Sequence, residues 1–373
     1  MTTTPSAGGS GAFALGALTR PALLAAALGI GVAPIPALPA GAETVISFTL
    51  PSPIIDQWSY PFAANPGAAQ AASIFAAWID KVYAPQWDNR DGQMLVAFNT
   101  SAHVPAGLDP SAYALLSLRL SLTVGIADGW AYDPTQDAFE TWALDREGQP
   151  GVDGDPGRPV EHFATSFRSG YTAASFTEAT PYGPISFGKG IRYAFPVMFI
   201  DGAPVDVSNN IDEGFEVEPA AVGTIDDLEQ GALVPLHSIM HFDVDLDQPA
   251  LHAWLAQGLA EGRIFLSVAS LFHTTVGASE GYARFLTKES PEVVLGLVPA
   301  PALALTVRLC EGGRMSDLDG DGVVDGADLG LLLAAWGPCA GPGLRPCPCA
   351  GDLNGDGVVD GADLGVLLAA WQG

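Results

Sequence analysis

Alternating apolar and polar residues mark several short segments in the middle of the chain. Every second residue is apolar between 116 and 124, and Phe, Val and Leu alternate with acidic residues between 241 and 247. Apolar stretches at 294–297 and 303–309 also predict strands. Because successive side chains of a strand point to opposite faces of a sheet, a period of two predicts strands with one buried face. We therefore expect residues 43–309 to form a mainly β domain, a β-sandwich.

Other stretches have apolar residues at helical spacing. Those at 68–82 and Pro249–Ala260 interrupt the predicted strands, and the second begins with a proline, which favours a first helical turn. Those at 326–336 and 361–371 follow the β domain. We expect the last two helices to share a small core formed by Leu329, Leu332, Leu333, Trp336, Leu364, Leu367, Leu368 and Trp371.

The C-terminal part of the chain is duplicated. The segment DLDGDGVVDGADLGLLLAAW at 317–336 recurs as DLNGDGVVDGADLGVLLAAW at 352–371. The copies differ only where Asp319 is replaced by Asn354 and Leu331 by Val366. The segment between them, 337–351, is dense in Pro, Gly and Cys, which is typical of a linker.

Each copy opens with the ligand spacing of a calcium-binding loop. Acidic side chains alternate, a glycine follows at the sharp turn, and the next residue offers its backbone carbonyl. The loops span 317–328 and 352–363, and the whole pattern occurs in both. The sequence therefore predicts two Ca²⁺ ions. The predicted ligands are Asp317, Asp319, Asp321, the Val323 carbonyl, Asp325 and Asp328 in the first loop, and Asp352, Asn354, Asp356, the Val358 carbonyl, Asp360 and Asp363 in the second.

The residues before each loop distinguish this pattern from an EF-hand, in which a helix precedes the loop. Neither 310–316 nor the linker can sustain a helix, so each unit is a loop followed by a helix. The final ligand is Asp, which is shorter than the Glu of most EF-hands. In both features the chain resembles the dockerin family, and we expect this domain to span 310–373.

The resemblance implies that the C-terminal domain docks onto a cohesin-like protein domain. Dockerins of cellulosomes often carry hydroxyl residues at the tenth and eleventh loop positions. This chain has Gly326-Ala327 and Gly361-Ala362 there, which offer no side-chain hydrogen bond. A partner of the cellulosome type is therefore in question, although the repeats allow two related docking orientations.

Parts of the β domain resemble the carbohydrate-binding-like jelly rolls of the DNRLRE type. The similar segments are 92–124, 241–268, 284–290 and 301–307, whereas 130–235 contributes nothing to the resemblance. This resemblance implies that the body is a jelly roll that binds a polysaccharide or a surface ligand.

The balance of charge excludes some partners. The chain has 15 Lys and Arg against 42 Asp and Glu, a formal net charge of −27. Such a charge repels the phosphates of nucleic acids and of anionic membranes. We therefore expect no nucleic-acid ligand.

The first residues, 1–42, have the composition of a signal peptide. Arg20 precedes an apolar stretch at 21–33, which is too short and too rich in Gly and Pro to span a bilayer stably. A site of small residues, Ala40-Gly41-Ala42, follows. We expect cleavage there and a secreted or cell-surface protein without a membrane span; a membrane anchor or a disordered tail is the alternative.

All four cysteines lie near the C-terminus, and export favours disulfides. Cys347 and Cys349 are poorly placed to bond each other because one residue separates them. This favours a bond from Cys339 to one of them, which leaves the other for Cys310. Zinc is the less favoured alternative because the spacing is irregular and no His is nearby.

No HExxH motif and no P-loop is present, and the catalytic residues are unknown. His237 and His241 have zinc-like spacing, but an alternating strand explains His241 better. The loop 145–158 is a second calcium candidate, and an ordinary turn is the alternative. The candidate residues for stacking on a sugar are Trp58, Tyr60, Trp78, Trp87, Trp130 and Tyr132, and a place in the core is the alternative for each.

The leading hypothesis is a non-catalytic, secreted β-sandwich that binds a polysaccharide or a surface ligand and is tethered through its calcium-binding tail. The first alternative is an extracellular polysaccharide-degrading enzyme, a glycoside hydrolase or lyase, which needs converging carboxylates. The second is a structural cell-surface protein with a protein ligand.

Overall fold

A computed structural model describes residues 44–63, 65–77, 88–138, 141, 154–183, 192–274, 281–310, 316–339, 351–353 and 358–372. They all belong to one unit, Ala40–Gly373. The predicted signal peptide, 1–42, lies outside the described residues, as do Trp78 and Trp87. No helix within these ranges combines the length and the apolar character needed to cross a membrane.

Strands make up most of the regular structure. In chain order they are β1 (Thr44–Leu50), β2 (Ile55–Ser59), β3 (Ala71–Ile74), β4 (Ala76–Ala77), β5 (Gln93–Asn99), β6 (Tyr113–Thr123), β7 (Val160–Phe167), β8 (Ala194–Ile200), β9 (Ala203–Asp206), β10 (Ala221–Val222), β11 (Ile239–Asp243), β12 (Arg263–Ser270), β13 (His273–Thr274), β14 (Ala283–Leu286), β15 (Ala302–Leu309), β16 (Gly337–Pro338) and β17 (Val358–Val359). The α-helices are α1 (Asn210–Glu213), α2 (Pro249–Ala260), α3 (Pro291–Val294), α4 (Gly326–Ala334) and α5 (Gly361–Ala369). The prediction of a mainly β protein is confirmed.

Two antiparallel sheets form the body. The first has the order β1-β15-β6-β11, and the second has the order β2-β5-β12-β7-β8-β9, with β10 added beside β7. Alternate residues of β6 and β15, such as Leu120 and Leu305, are buried in the same apolar cluster as Val96 and Leu266 of the second sheet. The period of two in β6 and β15 thus buries one face of the first sheet, whereas β5 and β12 of the second sheet are buried on both faces. The two sheets share one core.

Helix α2 covers part of this core. It runs from Pro249 to Ala260, as the sequence predicts, and Leu251, Leu255 and Leu259 are its buried leucines. These three side chains belong to the shared cluster. Because they recur at helical spacing, one stripe of the helix faces the sheets.

The helix predicted at 68–82 is wrong over its described part. Only a short 3-10 turn, Pro66–Ala68, precedes β3, which pairs antiparallel with β14. Ala72 and Ile74 are fully buried in β3. Pairing with a remote strand therefore overrides the local helical pattern. Residues 78–82 lie outside the described residues.

The strand predicted at 294–297 is also wrong. Pro291 begins the one-turn helix α3, and Gly296 follows in a left-handed conformation with φ of 70°. Val294, Leu295 and Leu297 are each about 70% exposed. A strand needs a buried face for such residues, and the fold offers none here.

Candidate metal centre and binding groove

The first predicted calcium loop brings its first three acids together. One carboxylate oxygen from each of Asp317, Asp319 and Asp321 lies within 4.8 Å of the others. Asp317 is buried, whereas the other two are exposed. This group does not include Asp325 or Asp328, which occupy the start of the following helix.

Backbone amides hold the loop around Asp317. Its two carboxylate oxygens accept hydrogen bonds from the amides of Gly320, at 2.9 Å, and Gly322, at 2.8 Å. Both glycines have positive φ, 76° and 95°. Side chains rarely adopt this conformation, so the tight turn requires glycine at these positions.

The last two predicted ligands of the first loop also cap helix α4. Asp325 accepts the Ala327 amide at 2.8 Å, and Asp328 accepts the Asp325 amide at 2.8 Å. The other oxygen of Asp328 accepts the amides of Leu318 and Asp319. Asp328 thus joins the end of the loop to its beginning. Each ionised carboxylate oxygen keeps further lone pairs for a cation.

The second loop repeats this cap. Asp363 accepts the amides of Leu353 and Asp360, both at 2.7 Å, and Asp360 accepts the Ala362 amide at 2.7 Å. Asp352 is buried like its counterpart Asp317, and the Val358 backbone lies in β17. Asn354 and Asp356 lie outside the described residues.

Charge repulsion is concentrated in the first loop. The Asp321 amide lowers the pKa of Asp319, but slight desolvation and the carboxylates of Asp321, Asp328 and Asp317 raise this pKa by more. Burial raises the pKa of Asp328, and the loop amides that bond to it lower that pKa below its usual value. The neighbouring carboxylates therefore destabilise the charge of Asp319, and a bound cation would relieve this repulsion. The donor set is entirely oxygen, which fits a hard cation such as Ca²⁺.

The two repeats contact each other through short backbone bridges. Gly337 and Pro338, which follow helix α4, pair antiparallel with Val359 and Val358 of the second loop. In the matching position after helix α5, the Gln372 amide bonds to the Val324 carbonyl of the first loop at 2.9 Å. Each helix end therefore closes the other repeat's loop.

Only part of the predicted tail core is buried. Leu332 and Leu367 are fully buried, together with Val324, Leu353 and Val359, and Leu329 and Leu364 pack at the edge of this cluster. The other four residues are exposed, by 52% at Leu333, 49% at Trp336, 52% at Leu368 and 37% at Trp371. The helices end at Ala334 and Ala369, so each tryptophan lies beyond the helical stripe that faces the partner helix.

The disulfide pairing stays a prediction. Of the four cysteines, Cys310 and Cys339 lie within the described residues, and Cys347 and Cys349 do not. The Cys339 sulfur lies 3.7 Å from a carboxylate oxygen of Asp352. The link between the two repeats thus approaches the first ligand of the second loop.

The aromatic residues singled out from the sequence belong mainly to the body's core. Trp130 and Tyr132 are buried, and Trp58 stacks on Tyr60 with ring centroids 4.8 Å apart while its ring nitrogen donates to Ser73. His241 hydrogen-bonds Ser121 on the neighbouring strand at 2.9 Å. Among the described residues, neither His237 nor His241 belongs to a group able to hold a metal.

The sequence did not point to a groove of about 270 Å³ between helix α2 and the second sheet. Its aromatic lining comes from Phe167, Tyr171, Trp254 and Phe265, and its polar lining includes Gln257 and Arg263. Arg263 donates to the Ala173 carbonyl at 3.2 Å, which fixes the segment that carries Tyr171. The sequence signal was Trp254 on a predicted helix, because Phe167 and Tyr171 come from a segment far from this helix along the chain.

A separate acidic cluster in the body is neutralised internally. The Lys288 ammonium lies 2.6 Å from Asp56, 2.6 Å from Glu178 and 3.1 Å from Glu289. Burial raises the pKa of Asp56 to about 7, although Lys288 opposes this shift. The lysine occupies the place that a metal cation would take, so we interpret this cluster as structural.

Comparison with known proteins adds no assignment. No family model matches the chain, and no curated protein matches it.

Proposed function

We propose that this protein binds two Ca²⁺ ions in a dockerin-like C-terminal domain, which tethers a non-catalytic, jelly-roll β-sandwich to a cohesin-like protein partner. The observation that carries the proposal is the reciprocal closure of the two loops, Gly337 against Val359 and Gln372 against Val324. Such closure makes the duplicated sequence one folding unit.

Calcium would supply much of this unit's stability. Each helix has nine residues, and helices of this length are marginal in water without tertiary support. The shared core is small, so burial contributes little. With a Kd of ~10 µM and ~1 mM free calcium, each ion would add about 2.7 kcal/mol. We infer that the tail is largely unfolded without calcium.

The exposed apolar residues of the tail support a protein partner. Leu333 and Trp336 at the end of α4 correspond in the repeat to Leu368 and Trp371 at the end of α5, and all four are exposed. Exposed apolar patches of this kind mark interaction surfaces in soluble proteins. The duplication would let the partner bind in two related orientations.

The groove supports a glycan ligand for the body. Aromatic rings beside hydrogen-bonding side chains suit a sugar, which has apolar ring faces and polar hydroxyls. Among the described residues that line the groove, Glu261 is the only acid. Glycosidases use two carboxylates, so the lining favours binding over hydrolysis. Secretion through the predicted signal peptide would place the protein among extracellular polysaccharides.

Calcium titration calorimetry of the chain 43–373 tests the tail. The double variant Asp317→Ala, Asp352→Ala should lose two bound ions, whereas Asp243→Ala, on an exposed strand, should lose none. Retention of both ions by the double variant would rule out the loops as the sites.

A second assay tests the body. The same chain is mixed with insoluble polysaccharides in ~1 mM calcium, a concentration chosen to exceed typical sensor affinities. Retention without release of reducing sugar is the expected result. Release of sugar would establish the enzyme alternative, and the absence of both would favour a structural surface protein.

A further inference from the structure

The β body contains a further acidic cluster. One carboxylate oxygen from each of Asp133, Asp137 and Asp155 lies within 4.8 Å of the others. We propose that this cluster, with Thr135 and Gln230, binds a Ca²⁺ ion independently of the tail loops.

Three separate segments form the cluster. Asp133 and Asp137 follow the bridge between Ala131 and Leu233, and Asp155 precedes β7. Gln230 comes from the segment that returns to this bridge, since Gly231 donates to the Tyr132 carbonyl at 2.7 Å. An ion bound here would crosslink these three segments of the body.

Asp133 has one carboxylate oxygen that is already hydrogen-bonded. Its Oδ1 accepts the Thr135 amide at 3.0 Å, the Thr135 hydroxyl at 2.6 Å and the Gln230 amide at 3.1 Å. These bonds fix the orientation of the carboxylate.

The second oxygen of Asp133 is the observation that points to a ligand. Oδ2 is buried and has no hydrogen-bond partner among the described residues, and Asp133 as a whole is 2% exposed. No basic side chain within those residues pairs with Asp133. A buried carboxylate oxygen without a donor or a cation is strongly disfavoured. A cation bound by the Asp133 carboxylate would satisfy this oxygen.

The local charge supports the same conclusion. The guanidinium of Arg158 lies 3.5 Å from Asp137 rather than beside Asp133. In the cluster of Asp56, Glu178 and Glu289, by contrast, the Lys288 ammonium contacts all three acids. Among the described residues Asp133 forms no ion pair, so its buried carboxylate has no such cation.

The chemistry of the donors selects the metal. The cluster offers carboxylates, the Thr135 hydroxyl and the Gln230 amide, which lies 2.6 Å from Asp155 and 3.2 Å from Thr135. Rotation of this amide by half a turn would present its oxygen to a cation. Ca²⁺ takes six to eight such oxygens in flexible geometry, whereas zinc sites rely on His and Cys, which this cluster lacks.

Calcium binding by the chain 43–373 tests the proposal. In the background Asp317→Ala, Asp352→Ala, which removes both proposed tail sites, one ion should remain and calcium should raise the Tm of the body. Adding Asp133→Asn should abolish this ion and the Tm shift. Adding Asp243→Asn in its place should preserve both, because Asp243 is an exposed strand residue.

Two results would refute a calcium site at Asp133. If the tail variant binds no ion and its Tm is the same with calcium as with chelator, the proposal is wrong, whatever the tail loops do. If Asp133→Asn does not fold, Asp155→Asn replaces it, because Asp155 is less buried. Retention of the ion by a folded Asp155→Asn variant with unchanged affinity would also refute the site.

Discussion

The backbone amide of Gln372 donates a hydrogen bond to the Val324 carbonyl at 2.9 Å. Gln372 follows the second helix of the tail, and Val324 lies in the first calcium loop. The matching bridge joins Gly337 and Val359. Neither repeat therefore completes its loop alone. A substitution after one helix should change calcium binding in the loop of the other repeat.

We expect Gln372→Pro to weaken calcium binding at the first loop. Proline has no amide hydrogen, so this bond is lost at a cost of about 1 kcal/mol, or roughly five-fold in affinity. Gln372→Ala keeps the amide and should bind calcium like the wild type. Calcium titration calorimetry measures both, and equal affinities of the two variants would show that the bridge contributes nothing.

Glycines of the first loop should differ sharply in their tolerance of alanine. Gly322 has φ of 95°, so Gly322→Ala should strain the loop by about 1–2 kcal/mol and reduce calcium affinity at this site. Gly326 starts helix α4, and a Cβ there meets no atom within 4 Å. Gly326→Ala should stabilise the helix by ~0.4–1 kcal/mol. Thermal unfolding and calcium titration of both variants test this contrast.

His162 should make the body sensitive to acid. Its ring is fully buried, both nitrogens lack hydrogen-bond partners among the described residues, and burial lowers its pKa to about 3. Between the unfolded pKa of ~6.5 and pH 3, the unfolded chain binds the extra proton. The free energy of unfolding therefore falls as pH drops through this window, by up to ~1.4 kcal/mol per pH unit from this residue.

His162→Phe should remove that contribution. The replacement fits beside Phe242, whose ring centroid lies 6.0 Å from that of His162, and it buries no unsatisfied nitrogen. We expect a flatter dependence of unfolding free energy on pH between 6.5 and 3, and higher stability at acidic pH. Denaturant titrations at several pH values measure this difference, and parallel curves for the two proteins would contradict the assignment.

Arg192 should contribute strongly to the stability of the body. Its guanidinium is buried, lies 2.9 Å from Asp88 and donates to the carbonyls of Ser59, Arg90 and Asp91. Arg192→Met would leave the buried Asp88 without its cation, at a cost of about 3–5 kcal/mol. The exposed pair of Arg119 and Asp243 provides the control. Arg119→Met should cost ~1 kcal/mol or less in the same denaturant titration.

Substitutions in the groove should weaken polysaccharide binding by the body, and a substitution in the tail should weaken binding to a protein partner. Tyr171→Ala and Trp254→Ala should each reduce retention on the polysaccharide that binds the body, by about 0.5–1.5 kcal/mol for a lost aromatic contact. Trp371→Ala, on the tail, should leave this retention unchanged and reduce binding to a protein partner. Depletion assays with the chain 43–373 measure retention, and an identical loss for all three variants would contradict separate sites.

Several features of this protein followed from the sequence because they depend on neighbours along the chain. The alternation at 116–124 predicted β6, and the helical spacing after Pro249 predicted α2. The helix caps at Asp325 and Asp360 are local as well, since each acid bonds amides within three residues, although the sequence pattern predicted these two residues only as calcium ligands. Such contacts form in any context that leaves the backbone free, so residue order suffices to predict them.

Other features depended on contacts between distant segments. The pairing of β3 with β14 overrode a helical pattern at 68–77, and the packing of two short helices left Trp336 and Trp371 exposed. The groove beside Trp254 and the acidic cluster at Asp133 likewise combine segments that are far apart in sequence. Residue order determined which elements form, whereas the tertiary structure decided which side chains meet, because burial and charge depend on whatever the rest of the chain packs beside them.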